Sequence, residues 1–151
     1  MLKRTILLLI LVMLAYGSAA TAVAPLKIGV IKKPLQDGCG CYLQLPQDAK
    51  LKNEKYVFLA DVDGTAQVNI NGRDITLKQM TKNLPQEGLK VGAKWIEVYE
   101  AGKTKVEVEY LVKKLCDPDD DDCEAAHYTT VIMVTHEGAT AKVDATGLCG
   151  C

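Results

Sequence analysis

Serine is almost absent from this sequence. Its one occurrence, Ser18, lies in the apolar N-terminal region, so a serine hydrolase and every Gly-x-Ser-x-Gly elbow are excluded. Histidine occurs only as His127 and His136, a spacing that rules out a His-Glu-x-x-His zinc motif. His127 falls on a strand opposite the face of Tyr128, and His136 opens a turn; both read as ordinary surface or strand positions. A Cys–His nucleophile would require one cysteine to stay unpaired. Beyond the N-terminal region the only arginine is Arg73, and the lysines are scattered. Bidentate phosphate recognition favours arginine and nucleic-acid binding needs a clustered basic footprint, so neither is expected. Trp95 and Phe58 are single residues of their kind, and no aromatic run is present. Stacking on sugars or bases is therefore not indicated, and Trp95 is expected in the core. No Asn-x-Ser/Thr site occurs, and no cofactor motif is found.

Long apolar runs are also missing after residue 24. Before it, Lys3 and Arg4 precede an apolar stretch from Thr5 to Ala15, followed by the small residues Gly17 to Ala22. A basic start, an apolar middle and a small-residue exit are the three parts of a secretory signal. The expected division is 1–20 as a signal peptide, with cleavage at 22 the alternative, and 21–151 as one β domain. No membrane span is expected after cleavage, and without Lys3 and Arg4 the formal charge moves from −1 to −3.

What the remainder does contain is period-two alternation broken by glycine-centred turns. Tyr56, Phe58, Ala60 and Val62 share one strand face, and Ala66, Val68 and Ile70 share the next, with Gln67 and Asn69 opposite. Asp63-Gly64 and Asn71-Gly72 stand between these runs and the run through Ile75 and Leu77. Such dipeptides are strong hairpin signals because both turn residues take positive φ, and the stretch reads as a three-stranded meander. Further strands are expected at Leu26–Ile31, Cys41–Leu45, Lys94–Glu100, Lys103–Leu115, Glu124–Thr135 and Ala139–Thr146. Thr81–Gly92 reads as a loop, and Lys50–Lys55 as one helical turn. The expected fold is all-β: a single small antiparallel β-barrel or β-sandwich of eight or nine strands, stabilised by disulfides.

The six cysteines are Cys39, Cys41, Cys116, Cys123, Cys149 and Cys151. An even number in an exported chain of this size points to disulfides. Cys116 and Cys123 bracket Asp117-Pro118-Asp119-Asp120-Asp121-Asp122, as a bridge clipping a hairpin loop would. Calcium is the alternative use of those aspartates, but the loop lacks the glycine and glutamate of an EF-hand. The two Cys-Gly-Cys motifs have three readings. Residues i and i+2 share a strand face, so two bridges between paired terminal strands are one. Four thiolates around Zn²⁺ or Cu(I) are another, although Cys-x-Cys spacing fits zinc poorly. A strained redox ring within each motif is the third. Export favours the first, with the connectivity among the four left open.

Asp61, Asp63 and Asp74 gather around the first hairpins. A glycosidase needs two carboxylates at a set separation in a cleft, whereas aspartates beside glycine turns are ordinary. The sequence therefore points to a secreted or periplasmic, non-enzymatic binding module with a protein or envelope component as partner. A thiolate metal-binding or thiol-redox protein is the alternative.

Overall fold

A computed structural model describes residues 25–35, 38–51, 54–82, 88–117 and 123–151. The expected signal peptide and residues 118–122 of the acidic loop, with the calcium question they carry, lie outside the described residues. So does residue 83–87 of the expected Thr81–Gly92 loop.

Nine strands and one short helix alternate along the chain: β1 (Ile28–Gly29), β2 (Gly40–Gln44), α1 (Pro46–Lys50), β3 (Tyr56–Asp61), β4 (Thr65–Ile70), β5 (Arg73–Lys82), β6 (Lys94–Ala101), β7 (Thr104–Lys114), β8 (Ala125–His136) and β9 (Ala139–Gly150). They form one sheet in the order β1-β4-β3-β2-β9-β8-β7-β6-β5, and an added β4–β5 pairing closes it into an antiparallel barrel of eight strands with β1 as an extra. The three-stranded meander of β3, β4 and β5 is present, with Phe58 opposite Val68 and Val68 opposite Ile75.

Turn chemistry explains the register. Asn71 and Gly72 adopt φ of 51° and 83°, and Glu137 and Gly138 adopt 50° and 86°, the paired positive angles of a two-residue hairpin turn. Asp63-Gly64 departs from the expectation. Only Gly64 has positive φ, at 81°, because Asp61 reaches over the loop and accepts the Thr65 N–H at 2.7 Å. That lengthens the connection to three residues, Val62 to Gly64, and leaves Val62 exposed.

Several expected boundaries shift. The Leu26–Ile31 strand shrinks to β1, since only Ile28 and Gly29 pair with β4. The helical turn sits at Pro46–Lys50 rather than Lys50–Lys55, with proline in its first turn, where its missing N–H is no loss. Thr81 and Lys82 belong to β5 and pair with Val98 and Glu97 across a bulge. The last strand runs on to Gly150, because β8 and β2 pair with its second half from either side.

Gln67 and Asn69, on the strand face opposite Ala66, Val68 and Ile70, are also buried. The cause is the segment 25–35, which crosses the outside of β3 to β5 as a strap. Gln67 accepts the Leu35 N–H at 3.2 Å and donates to the Lys33 carbonyl at 3.0 Å. Asp74 accepts the Lys32 and Lys33 N–H groups, at 3.0 and 2.9 Å, and the Asn69 amide at 2.5 Å. Burial works against ionisation of Asp74, but these hydrogen bonds, that of Asn69 foremost, hold its carboxyl below the ordinary aspartate range. A lowered folded value stabilises above the unfolded value of 3.8 and is lost as the pH falls through the folded one. Asp74→Ala is therefore expected to cost about 1–2 kcal/mol and to speed amide exchange at Lys32 and Lys33. Unchanged protection there would show that the strap is held by other contacts.

Candidate functional site

Inward-facing positions follow the cross-strand pairing around the barrel. Tyr99 faces Val106, Glu97 faces Val108 and Trp95 faces Tyr110 between β6 and β7. Val106, Val108, Tyr110 and Val112 then meet Val134, Ile132, Thr130 and Tyr128 on β8. The ring continues through Val143 and Ala145 of β9 and Leu43, Phe58 and Val68 of β2, β3 and β4.

The aromatics that look scattered along the sequence converge inside this ring, which corrects the expectation that they form no cluster. Trp95 stacks on Tyr110 with centroids 4.9 Å apart, and Tyr128 meets both edge-on at 5.5 and 5.8 Å. Phe58 meets Tyr99 edge-on at 5.2 Å. The signal was available in the alternation, since Trp95 and Tyr99 lie on one face of β6 and Tyr110 on the inward face of β7.

Among these rings sits Glu97, 5% exposed, which the sequence reading passed over. Trp95 Nε1 donates to its Oε1 at 3.1 Å, and the Tyr99 hydroxyl donates to its Oε2 at 2.5 Å. Burial, and after it the Glu97 charge, pushes the Tyr99 hydroxyl well above the usual phenol range. Burial likewise raises Tyr110, with the Tyr99 and Glu97 charges adding to it. Both phenols thus stay protonated, and Tyr99 stays a donor. The Tyr110 hydroxyl is fully buried and makes no well-formed hydrogen bond. Among the residues whose side chains are described, which do not include Lys82 opposite it on β5, no lysine, arginine or histidine forms an ion pair with Glu97.

Glu97 and Tyr99 line a cavity of 190 Å³ that also touches Ala60, Asp61, Val62, Gln79, Cys41, Cys149 and Cys151. Its sulfur wall comes from the pairing of β2 with β9. Cys41 stands directly opposite Cys149, and bridges join Cys41 to Cys149 and Cys39 to Cys151, with Cα separations of 4.0 and 4.2 Å. The third bridge joins Cys116 to Cys123, with Cα atoms 5.4 Å apart. Each Cys-Gly-Cys motif is thus linked to the other rather than closed on itself, and none of the six cysteines is free.

A second concavity, of 640 Å³, lies between α1 and the outer side of β6 to β9. Pro46, Ala49 and Lys50 form one wall, and Lys94, Leu111, Thr129, Val131, Asp144 and Thr146 belong to the other. Along it runs the first half of β9. Residues 139–145 pair with β8 on one side, whereas β2 pairs only with 146–150. Among the described residues, then, no strand pairs with that edge. Ala141 and Val143, though inward, are only half-buried, while their β8 partners Val134 and Ile132 are fully buried.

The other sequence candidates stay apart from both features or serve locally. His127 is exposed, and His136 Nδ1 meets Thr104 Oγ1 at 2.8 Å beside a turn. Asp61 caps its own hairpin and Asp74 holds the strap, so the structure gives each a structural partner. Among the described residues no group of three or more His, Cys, Asp or Glu side chains is placed to hold a metal, and no helix is long and apolar enough to cross a membrane. No family model, curated protein or solved structure matches this chain.

Proposed function

We propose that the protein is an exported, non-enzymatic binding module, periplasmic or extracellular, that takes an extended segment of a partner protein along the open edge of β9. The observation that carries this reading is the edge of 139–145 away from β8, with which no strand among the described residues pairs, beside the 640 Å³ groove. An exposed strand edge offers a row of backbone donors and acceptors, and strand addition uses them for affinity while side-chain pockets give selectivity. Such an edge is an aggregation hazard that proteins guard with charge, and Lys142 and Asp144 occupy its outer face. The groove has the size of a ligand site, and its walls mix apolar Leu111 and Val131 with Lys50, Lys94, Glu109 and Asp144. Paired disulfides suit a compartment outside the reducing cytosol.

The two-residue turn at Glu137-Gly138 fixes which groups face the edge. His136 and Ala139 form its hydrogen-bonded closing pair, so alternate residues Thr140, Lys142 and Asp144 direct their backbone away from β8. Lys142→Pro therefore removes a donor from the edge without touching the β8 ladder, a place where proline is tolerated. An extended peptide selected from a random display library is expected to perturb amide resonances over 139–146. It should bind Lys142→Pro about tenfold more weakly, some 1.4 kcal/mol, with little change in melting temperature. Selected peptides that bind the variant as well as the parent would remove this reading.

A further inference from the structure

We infer that the partner segment taken up along β9 carries a basic residue opposite Asp144, an apolar residue opposite Val143 and an acidic residue opposite Lys142. Read from its own N-terminus, the segment is basic, apolar, acidic. This rests on the strand-addition reading above and adds the chemistry and direction of the partner.

Direction follows from β2. That strand runs antiparallel to β9 from Gly40 to Gln44, opposite Gly150 to Thr146, and leaves the edge where Pro46 opens α1. A strand that takes over the stretch β2 does not reach continues the same line. Every pairing between the described strands is antiparallel, and antiparallel pairs are slightly the more stable per residue. The N-terminal end of the segment therefore lies toward Ala145 and its C-terminal end toward Ala139.

Side-chain chemistry follows from the pleat, because residues directly opposed in an antiparallel pair share a face. Residues opposite Ala141 and Val143 point inward, against side chains that are only half-buried. β1 approaches this strand without pairing with it, and its Ile28 packs partly buried on the core. Apolar residues at those two positions gain from covering that surface. Thr140, Lys142 and Asp144 point outward and are exposed. Opposite charges directly across a strand pair attract and like charges repel, which sets acid against Lys142 and base against Asp144. Slipping the register by one residue would turn both charged residues of the segment inward.

β9 itself reads Lys142-Val143-Asp144, so a second copy of the chain carries the matching charges. Its geometry does not fit. Setting Lys142 against Asp144 of another copy lays that copy's Thr140 opposite Thr146, where Gln44 already pairs. Thr140 is held in the β8–β9 hairpin and cannot turn aside. A segment of a different protein can bend away at Ala145, where the groove beside α1 opens between Ala49 and Val131.

Two peptides of one composition test this on the disulfide-intact protein: acetyl-Ala-Lys-Val-Glu-Val-Thr-amide and acetyl-Ala-Glu-Val-Lys-Val-Thr-amide. Titrations are followed through the amide resonances of 139–146. The first peptide is expected to bind about tenfold more tightly than the second at low salt, and the ratio should fall as salt screens the charges. Combining Lys142→Asp with Asp144→Lys should invert the preference. The comparison of peptides on the unaltered protein stands even if that variant folds poorly. Equal perturbation of 139–146 by both peptides, or tighter binding of the second, overturns the charge order and leaves strand addition in place. If neither peptide perturbs these residues, both readings fall. Dimers of the peptide-free protein in sedimentation, dissociated by the first peptide, would assign the edge to a second copy and overturn the proposal.

Discussion

Replacing Cys39, Cys41, Cys149 and Cys151 together by alanine is expected to lower the unfolding free energy by about 7 kcal/mol, but removing either bridge alone by only about 2 kcal/mol. The asymmetry follows from ring size. With one bridge in place, the other closes a ring of only the two Cys-Gly-Cys segments, and a ring of about six residues restrains the unfolded chain by about 2 kcal/mol. The last remaining bridge spans a sequence separation of 112 or 108 residues, and a loop of that length is worth about 5 kcal/mol. Total stabilities of domains are about 5–15 kcal/mol, so the quadruple variant is expected to sit near the limit of folding. Denaturant unfolding of the parent, both single-bridge variants and the quadruple variant measures all the terms. Equal losses from each single removal, summing to the whole, would show that the bridges act through native contacts instead.

Gly147→Ala is expected to cost about 3 kcal/mol, more than the loss of either terminal bridge alone. A β-carbon at this position would overlap the Tyr42 carbonyl oxygen and come within 3.0 Å of the Leu43 Cα. These are backbone atoms of the neighbouring strand, which no rotamer change can move. The strands must separate, and they carry Leu43 opposite Gly147 in the same register that places Cys41 opposite Cys149. Loss of stability should therefore be accompanied by titratable thiols after oxidative refolding. A variant with parental melting temperature and no free thiol would show that β2 shifts aside at little cost.

The strands themselves were legible wherever one face meets the core and the other meets water. β7 is the clearest case, with Val106, Val108, Tyr110 and Val112 buried and Lys105, Glu107, Glu109 and Leu111 alternating with them on the other face. Its partner β6 was half-read. Trp95 is expected inside, but Glu97 on the same buried face is not legible, because a charged residue at an alternating position reads as surface unless its aromatic neighbours are already known to be inside. The open edge of β9 was illegible for another reason. Pairing partners are a property of the whole sheet, and nothing in Ala139 to Ala145 distinguishes an edge from a central strand. Gly147 likewise read as the end of a strand, since a sequence does not say whether a glycine marks a turn or a close approach of two backbones. The strap hid Gln67 and Asn69 through a tertiary contact more than thirty residues distant. The cysteine pairing belongs between these cases. Matched Cys-Gly-Cys spacing implied two bridges in parallel, yet only the antiparallel register of β2 with β9 joins Cys39 to Cys151 and Cys41 to Cys149.

The two bridges between β2 and β9 also determine how the molecule responds to mechanical load. A pull applied between the chain before Cys39 and Cys151 itself passes through sulfur, and the tension crosses directly from one strand to the other. Strands β3 to β8, which lie within the 108-residue interval from Cys41 to Cys149, carry none of it. The barrel can melt without the tether lengthening, and the tether can bear force without the barrel unfolding. Nicking the backbone at one loop inside that interval leaves both pieces joined, where the same cut would sever an open chain.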